Sequence, residues 1–510
     1  MNSFYITTPI YYVNDRGHVG HAYTTIACDI LARFNKLQGK NVFFLTGTDE
    51  HGQKVEKASK DSNLKPQDFV DKMSQNFINL ISDLGCEIDD FIRTTEDRHK
   101  IAVQALWKKL YNNNQIYLSN YEGWYSIRDE AFFTENELIK NKEDGDFIAP
   151  TGAPVEWIKE ESYFFKLSEW QDQLILFYTN NPDSIKPKTR YNEVLSFIKS
   201  GLKDISISRT TFKWGIDVPN NEKHVMYVWI DALCNYLTSI GYPNENSDKF
   251  KKFWPATHIV GKDILRFHAV YWPAFLMAAD LSPPKRIFAH GWWTNEGEKI
   301  SKSLGNVINP YDIISEFGLD QFRFFLFREV PFGSDGDFSK NSIANRVNAD
   351  LSNNFGNLIQ RICSFINKNC NQVVENKFNL NEDDSILINF SIEKIKNYQM
   401  LLNDQEIDKA IKEIFELLSA TNIYVDKQAP WQLKKINIDR MNVVLSIATE
   451  MIKRSNFMLY PIIPTSCKKV FNLLNVNFNK LNFINICILP DKPVAINISE
   501  PIFPRIDIND

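Results

Sequence analysis

The chain has 510 residues, which is too long for one hydrophobic core and predicts about two to four domains of ordinary size. Its hydrophobic content of 44%, charged content of 24% and aromatic content of 13% are those of a folded globular protein and exclude a disordered one. The net charge of −5 and the pI near 6.0 exclude a general basic field, so a polyanionic partner must be bound by a local patch or by specific contacts.

The cysteines and the N-terminal segment indicate the compartment. Seven cysteines are scattered along the chain without a C-x-x-C pair, which is typical of reduced thiols in a reducing compartment. The N-terminus lacks a basic stretch followed by an apolar segment, and no apolar run reaches the roughly 20 residues of a membrane span. We therefore expect a cytoplasmic protein.

The first fifty residues have the pattern of a βαβ unit. Residues 4–8 are β-branched and aromatic and predict a strand, which a loop ending at Gly17 connects to a helix over 18–37. A second apolar run at 42–45 predicts the next strand. Ligands in such sheets bind beyond the carboxyl ends of the strands.

Short aromatic segments interrupted by glycine and proline predict an inserted subdomain over residues 116–223. Apolar runs at 225–229, 257–260 and 286–289 predict further strands of the first sheet. Beyond about residue 342 the periodicity is helical and predicts a helical bundle.

The first chemical motif is His18-Val19-Gly20-His21, at the predicted turn from strand to helix. Backbone N–H groups and the helix dipole favour an anion there, and two histidines at i and i+3 share a face. The pair is suited to holding a phosphate. On its own the motif is a weak signal and is more typical of a capped surface helix.

The second motif is Lys299-Ile300-Ser301-Lys302-Ser303, in a loop flanked by glycines. Lysine ammonium groups neutralise the charge that develops on phosphate oxygens, and a loop can close for the transition state and reopen for release. The pattern suits a triphosphate site, but taken alone it is more typical of a solvated basic turn.

Together and in this order, the two motifs resemble the paired signatures of the Rossmann-fold aminoacyl-tRNA synthetases. Four further blocks resemble the methionyl-tRNA synthetases within that group, and the resemblance covers essentially the whole chain. The blocks are Thr8-Pro9-Ile10-Tyr11-Tyr12-Val13-Asn14, Thr46-Gly47-Thr48-Asp49-Glu50-His51-Gly52, Tyr227-Val228-Trp229-Ile230-Asp231-Ala232 and Val260-Gly261-Lys262-Asp263.

The resemblance implies an α/β fold, with a Rossmann-type parallel-sheet catalytic domain, an inserted connective subdomain and a helical anticodon-binding domain. It implies activation of L-methionine with ATP and Mg²⁺ to methionyl-adenylate and pyrophosphate. Methionine is then transferred to the 3′ end of tRNA(Met), for initiation and elongation. The predicted domains are residues 1–115 and 224–295 for the two catalytic halves, 116–223 for the insertion, 296–341 for the KMSKS-type loop and stem-contact region, and 342–510 for the anticodon-binding domain.

The same resemblance assigns roles to individual side chains. Asp49 would bind the α-ammonium group of the methionine substrate. Polarizable aromatic side chains in the pocket wall suit the thioether of methionine. The implied methionine pocket consists of Ile10, Tyr12, Asp49, Trp229, Leu233, Tyr236, Ile264, Phe267 and His268. The implied ATP-binding residues are Tyr12, Asn14, His18, Gly20, His21, Gly291, Trp292, Lys299, Ser301 and Lys302; His18, His21, Lys299 and Lys302 would be catalytic, and Arg209 and Asp263 would support the adenylate.

The helical region contains a candidate tRNA-binding face. Asn353, Asn357 and Arg361 follow each other at i, i+4 and i+8, and amides ending in arginine can bind the edges of unstacked bases. An ordinary solvated face is the alternative. By resemblance to the family's anticodon-binding helices, Trp431 would stack on a base.

The sequence departs from the family pattern in the insertion. Many relatives have a Tyr-Cys-x-x-Cys zinc knuckle there, whereas this chain has Trp124-Tyr125-Ser126-Ile127-Arg128. We therefore expect no structural zinc and an insertion held by packing. An appended oligonucleotide-binding domain that dimerises some relatives is not expected either, which favours a monomer.

Three alternatives remain open from the residues. One is a synthetase of the same architecture for cysteine, valine, leucine or isoleucine. Another is a small-molecule nucleotidyltransferase, although those proteins are shorter and lack a helical third. The last is a non-catalytic RNA-binding protein derived from a synthetase, against which the intact histidines and lysines count.

Overall fold

The computed structural model describes most of the chain. For residues 121, 131, 132, 136, 158, 160, 295, 298 and 299 it describes the backbone alone. The described ranges are 3–13, 17–128, 131–133, 135–140, 146–295, 298–299, 308–375, 379–490, 493–497 and 501–507.

The strands are numbered in chain order. They are β1 (Ser3–Thr7), β2 (Tyr11–Tyr12), β3 (Asn41–Asp49), β4 (Asp90–Arg93), β5 (Ile116–Ser126), β6 (Ala131–Phe133), β7 (Ile139–Lys140), β8 (Phe147–Ile148), β9 (Glu156–Phe165), β10 (Ile185–Lys186), β11 (Ile205–Ser206), β12 (Ser208–Arg209), β13 (Asp217–Val218), β14 (Asn221–Met226), β15 (Thr257–Gly261), β16 (Arg286–His290), β17 (Trp293–Asn295), β18 (Glu298–Lys299), β19 (Gly336–Phe338), β20 (Val373–Val374) and β21 (Val494–Ala495).

The α-helices are numbered in the same way. They are α1 (Val19–Leu37), α2 (Gln53–Asp61), α3 (Pro66–Asp83), α4 (Asp97–Asn112), α5 (Gln171–Asn180), α6 (Lys188–Lys199), α7 (Val228–Leu233), α8 (Asn235–Thr238), α9 (Asp248–Phe253), α10 (Trp272–Ala278), α11 (Pro310–Phe317), α12 (Leu319–Arg328), α13 (Lys340–Arg346), α14 (Asn357–Asn369), α15 (Glu382–Asn403), α16 (Ile407–Gln428), α17 (Pro430–Ile436), α18 (Ile438–Leu459) and α19 (Pro464–Leu473). Two segments, Phe267–Tyr271 and Val347–Gly356, are π-helical.

The chain divides into two compact units. The first unit contains Ser3–Gly17 and Phe43–Ala289, and the second contains His18–Val42 and His290–Asp510. Each unit is therefore built from segments that are distant in sequence.

The core of the first unit is a seven-stranded sheet in the order β10-β16-β15-β1-β3-β2, with β4 also paired to β3. The pairs β1–β15, β10–β16, β2–β3 and β3–β4 are parallel. Buried side chains such as Tyr5, Leu45 and Val260 pack in one hydrophobic cluster around it. This confirms the α/β parallel-sheet fold and the strands predicted at 4–8, 42–45, 257–260 and 286–289.

The strand predicted at 225–229 as part of this sheet is wrong in two respects. Strand β14 ends at Met226, and α7 begins at Val228 after the extended backbone of Tyr227. Moreover, β14 pairs antiparallel with β12 and β13 in a separate three-stranded sheet. The apolar run is too short for its periodicity to separate a strand from a buried helix.

The predicted insertion contains an antiparallel sheet in the order β11-β9-β5-β6. Trp124 lies opposite Trp157 across β5 and β9, and their ring centroids are 5.4 Å apart. Phe147 packs on the Trp124 ring at 5.3 Å. Aromatic packing therefore occupies the position where relatives were expected to have zinc-binding cysteines.

Helices α15, α16 and α18 pack against one another in the second unit, as the predicted bundle requires. Helix α1 belongs to the same unit and is buried over nearly its whole length. Its Asp29 accepts from Arg33 at 2.7 Å and from Arg323 of α12 at 2.6 Å. Arg323 also donates to the carbonyl of Ile462 at 2.8 Å, so a buried ionic network joins α1 to the helices.

No helix within the described ranges combines the length and the apolar character that a bilayer crossing requires.

Candidate functional site

The start of α1 brings the two predicted phosphate-binding histidines into contact. His18 is the N-cap, and its Nδ1 accepts from the Gly20 N–H at 3.0 Å. The Nδ1 of His21 accepts from the His18 N–H at 3.1 Å, and the ring centroids are 4.0 Å apart. Because each Nδ1 accepts a backbone proton, the proton of each neutral ring lies on Nε2.

Burial lowers the pKa of His21 well below its ordinary value, and the neighbouring His18 lowers it further. His21 is therefore neutral near pH 7, and its single ring proton on Nε2 is available for donation. Gly20 permits this arrangement, because a Cβ at its position would lie 2.9 Å from Cε1 of His18.

Gly291 and Trp292, which the sequence predicted to bind ATP, follow β16 in the second unit. His290 beside them has a fixed tautomer, because its Nδ1 donates to the Gly291 carbonyl at 2.8 Å. Its Nε2 therefore accepts from the hydroxyl of Thr24 in α1, also at 2.8 Å. The Trp292 N–H donates to Asp335 at 2.8 Å. The contact between His290 and Thr24 holds the residue before Gly291 against α1.

Several predicted ATP-binding residues lie outside the described residues. Asn14, Ser301 and Lys302 are among them, and the side chain of Lys299 is not described. The backbone of β18, which includes Lys299, pairs antiparallel with β17. The roles of these residues remain predictions.

The aromatic part of the predicted methionine pocket forms in the first unit. The rings of Trp229 and Phe267 stack with centroids 3.7 Å apart and an interplanar angle of 6°. The ring of His268 lies edge-on to Trp229 at 6.2 Å. Trp229 belongs to α7 and Phe267 to the π-helical segment, so two distant segments provide one aromatic wall.

The wall includes a neutral polar pair. His268 Nδ1 donates to the Ile264 carbonyl at 3.0 Å, so its Nε2 accepts from the Tyr236 hydroxyl at 2.7 Å. Burial lowers the pKa of His268 to about 4, although the Ile264 carbonyl opposes the change. The pair is therefore uncharged near pH 7, as suits an apolar substrate side chain.

The remaining predicted pocket residues also lie in the first unit. Ile10, Leu233 and Ile264 pack in the same hydrophobic cluster as Trp229 and Tyr236. Asp49, the last residue of β3, is buried and pairs in register with Tyr12 of β2, whose ring packs against a smaller cluster.

The two predicted adenylate-supporting residues differ in environment. Arg209 is buried and donates to the Ser206 hydroxyl at 2.8 Å and to the Ser208 carbonyl at 2.7 Å. Its guanidinium carbon lies 4.5 Å from the centroid of the Tyr227 ring. Asp263 is exposed, in a turn of 3₁₀ helix.

Sequence reasoning missed a buried group of one carboxylate and two imidazoles. Asp231 lies 2.7 Å from His51 Nδ1 and 2.8 Å from His99 Nε2. Burial opposes ionisation of Asp231, but the two histidines outweigh it and lower its pKa to about 2. The available signal was that His51 and Asp231 each stand within one of the quoted sequence blocks.

Two of the predicted anticodon residues come together in the second unit. The guanidinium of Arg361 lies 5.8 Å from the centroid of the Trp431 ring and donates to Asp426 at 2.5 Å. Trp431 is 43% exposed, so its ring is accessible for stacking. Asn353 and Asn357 are also exposed, but Asn353 lies in the π-helical segment, where the spacing differs from that of an α-helix.

Residues 4–363 match the family described as tRNA synthetases class I (M). Residues 374–486 match the family described as the anticodon binding domain of methionyl tRNA ligase. The methionine–tRNA ligase of Rickettsia conorii (strain ATCC VR-613 / Malish 7) is 54% identical over 99% of this chain and 100% of its own length. That of Mesorhizobium japonicum is 49% identical over 98% of this chain and 97% of its own.

A solved structure of Mycobacterium tuberculosis methionyl-tRNA synthetase in complex with methionyl-adenylate superimposes with a TM-score of 0.96. It is 42% identical and covers 99% of this chain and 100% of its own. Sequence blocks, fold and comparisons agree, and the chain belongs to the methionyl-tRNA synthetase family of class I tRNA synthetases.

Proposed function

We propose that this chain activates L-methionine with ATP to methionyl-adenylate and then transfers methionine to the 3′ end of tRNA(Met). The observation that carries the proposal is the match over nearly the whole chain to a synthetase solved with methionyl-adenylate. The aromatic wall of Trp229 and Phe267, with its neutral Tyr236–His268 pair, supports methionine as the amino acid.

In the first step, a carboxylate oxygen of methionine attacks the α-phosphorus of ATP. The bond to the β-phosphate oxygen breaks, and pyrophosphate leaves with the Mg²⁺ that entered as part of the substrate. Positioning and charge stabilisation account for catalysis of such a step. His18 and His21 would donate from Nε2 to phosphate oxygens, and Lys299 and Lys302 would neutralise the charge that develops, with Asn14 in support.

Selectivity for methionine is the demanding part of the first step. One methylene group in an apolar pocket discriminates by only about 1–3 kcal/mol. The stacked rings and the buried Leu233 would limit the space for branched side chains, and shorter side chains would bind less tightly because they leave part of the pocket unfilled. Asp49 would bind the α-ammonium group as the single carboxylate partner of a cation.

In the second step, a ribose hydroxyl at the 3′ end of the tRNA attacks the carbonyl carbon of the adenylate. An ester bond forms, the hydroxyl loses its proton, and AMP leaves with the electrons of the broken bond between the carbonyl carbon and the phosphate oxygen. Recognition of tRNA(Met) would depend on Asn353, Asn357, Arg361 and Trp431 in the second unit. The exposed ring of Trp431 beside Arg361 is suited to stacking on an unpaired base.

We propose that the protein acts as a monomer in the cytoplasm. The free cysteines agree with a reducing compartment.

Among the described residues no group of three or more metal-ligating side chains is arranged around a common point. Metal analysis of the purified protein tests the expected lack of structural zinc, and light scattering tests the monomer.

The proposed function is tested by methionine-dependent exchange of pyrophosphate into ATP. Wild-type protein should catalyse exchange with methionine and not with cysteine, valine, leucine or isoleucine. Lys302→Ala should reduce kcat by about 100-fold or more, because a charge-stabilising contact of the transition state is lost. Lys60→Ala, which removes an exposed lysine on α2, is the matched control and should behave like wild type. Exchange with another amino acid, or none at all, would contradict the proposal.

A further inference from the structure

The buried carboxylate of Asp231 connects three separate segments of the first unit. Asp231 lies in α7, two residues after Trp229 and two before Leu233, and it is 1% exposed. Its Oδ2 lies 2.7 Å from His51 and its Oδ1 lies 2.8 Å from His99. Both carboxylate oxygens are thus used in contacts with imidazoles that come from outside α7.

The His51 contact connects α7 to the end of β3. His51 follows Asp49 by two residues and is 3% exposed. The residue between them, Glu50, is fully buried and accepts from Arg93 at 2.7 Å and 3.1 Å. The Trp214 indole donates to the Glu50 carbonyl at 2.6 Å, so the segment that follows Asp49 is fixed on several sides.

The His99 contact connects α7 to α4 and to α8. His99 is fully buried near the start of α4, and its Nδ1 lies 3.1 Å from the hydroxyl of Thr238. Thr238 is in α8, which also contains Tyr236. The carboxylate and two imidazoles therefore hold both short helices that contribute residues to the proposed methionine pocket.

We infer that Asp231, together with His51 and His99, positions the methionine pocket. In this inference, which rests on the proposed function, the group holds Trp229 of α7 and Tyr236 of α8 at a fixed distance from the carboxylate of Asp49. None of the three side chains needs to contact the substrate. They are positioning residues for the two ends of the amino acid: its α-ammonium at Asp49 and its side chain at Trp229 and Tyr236.

The physical basis is that the buried carboxylate of Asp231 needs hydrogen-bond donors, and here the side chains of His51 and His99 on other segments provide them. Loss of one partner leaves an uncompensated group in a dry environment, and the segments shift until it is hydrated or paired. A shift of about 1 Å in a binding group can lower the efficiency of an enzyme about 100-fold. Because α7 holds methionine and not the nucleotide in the proposed function, the effect should fall on methionine.

The test is steady-state pyrophosphate exchange with Asp231→Asn, His51→Ala and His51→Asn. Asp231→Asn and His51→Ala should raise the KM for methionine on the order of tenfold or more while the KM for ATP changes little. His51→Asn should restore most of the methionine KM, because its side-chain amide nitrogen occupies about the position of Nδ1 and can donate to Asp231.

Asp384→Asn is the matched control for loss of a buried carboxylate. Asp384 is fully buried and accepts from Arg440 at 2.5 Å and 2.8 Å in the second unit. The substitution should lower the melting temperature without changing either KM. If Asp231→Asn does not fold, the comparison of His51→Ala with His51→Asn decides, since both retain Asp231 and His99.

Two results would overturn the inference. One is an unchanged methionine KM in His51→Ala and Asp231→Asn. The other is a parallel rise of both KM values in His51→Ala that His51→Asn does not reverse, which is what a purely structural role gives. Wild-type protein without methionine-dependent exchange would instead contradict the proposed function itself.

Discussion

Backbone N–H groups at the start of α1 orient both histidine rings: that of Gly20 binds His18, and that of His18 binds His21. His18 caps the helix, and the His18 N–H in turn binds His21, so each ring is oriented by the same turn of chain. This reciprocal arrangement resembles a capping box in which imidazoles replace the usual hydroxyl and carboxylate. It orients both imidazole rings through backbone N–H groups of the same turn.

Gly20 is the residue on which this orientation depends. Gly20→Ala should lower the kcat of methionine-dependent exchange about 10- to 100-fold, because the new Cβ would lie 2.9 Å from Cε1 and 3.1 Å from Nδ1 of His18 and displace its ring. The melting temperature should stay the same or rise, because alanine is favoured over glycine within a helix by about 1 kcal/mol. Exchange kinetics and thermal unfolding of the same sample check both statements.

A loss of stability together with activity in Gly20→Ala would show that disturbed helix packing, and not displacement of the His18 ring alone, lowers the activity. Unchanged activity would show that the His18 orientation is not needed for exchange.

At the level of residues, the sequence predicted the chemical character of the site better than it predicted which side chains contact one another. Trp229 stands in one of the quoted sequence blocks, and the family resemblance assigned Phe267 to the pocket; the stacking of their rings agrees with a pocket wall. The Asp231–His51 contact spans 180 positions of sequence and depends on how β3 and α7 pack. Neither residue type nor spacing contains that information, so the positioning group could not be predicted.

At the level of elements, predictions succeeded where the pattern was long. The nineteen residues of α1 and the helices beyond residue 342 were predicted as helices, and the structure confirms them. The run at 225–229 failed because five apolar residues fit a strand and a buried helix equally well. The π-helical segment Val347–Gly356 could not be predicted. An apolar pattern with the α-helical period of about 3.6 residues does not show where a helix widens to π geometry.

The short helix α17 contains Trp431, and a substitution there tests tRNA binding by the second unit separately from methionine activation. Trp431→Ala should raise the KM for tRNA in aminoacylation about 10- to 100-fold, because stacking of a base on an aromatic ring contributes roughly 1–3 kcal/mol. Methionine-dependent exchange, which needs no tRNA, should be unchanged. The two assays on one preparation give the comparison.

Trp157→Ala is the matched control, because Trp157 is a similarly exposed tryptophan, 52% against 43%, in the first unit. It should leave the KM for tRNA unchanged. An equal fall in exchange and aminoacylation in Trp431→Ala would contradict the assignment of Trp431 to the tRNA.

At the level of the whole molecule, both units bury histidines in neutral form. Burial lowers the pKa of His21 in the second unit and of His258 and His268 in the first. His258 is fully buried, with Nδ1 2.8 Å from the Thr7 hydroxyl. Folding therefore excludes protons that the unfolded chain would bind.

The protein should consequently lose stability as the pH falls below about 6.5, the ordinary pKa of histidine. In that range the unfolded chain binds more protons than the folded one, and each buried histidine contributes up to about 1.4 kcal/mol per pH unit. Melting temperatures between pH 7.5 and 5.5 measure the effect. His258→Asn should reduce the slope, and an unchanged slope in this variant would show that His258 does not contribute.

The central sheet also sets an order of events during synthesis. Thr7 of β1 meets its partner His258 of β15 only after 251 further positions have been translated. At about 5–20 residues per second that takes roughly 10–50 s. Throughout this interval one edge of β1 has no neighbouring strand and is open to pairing with other nascent chains. A ribosome that stalls before β15 would thus release a chain prone to aggregate, and binding of a chaperone to the first strand during that time would protect it.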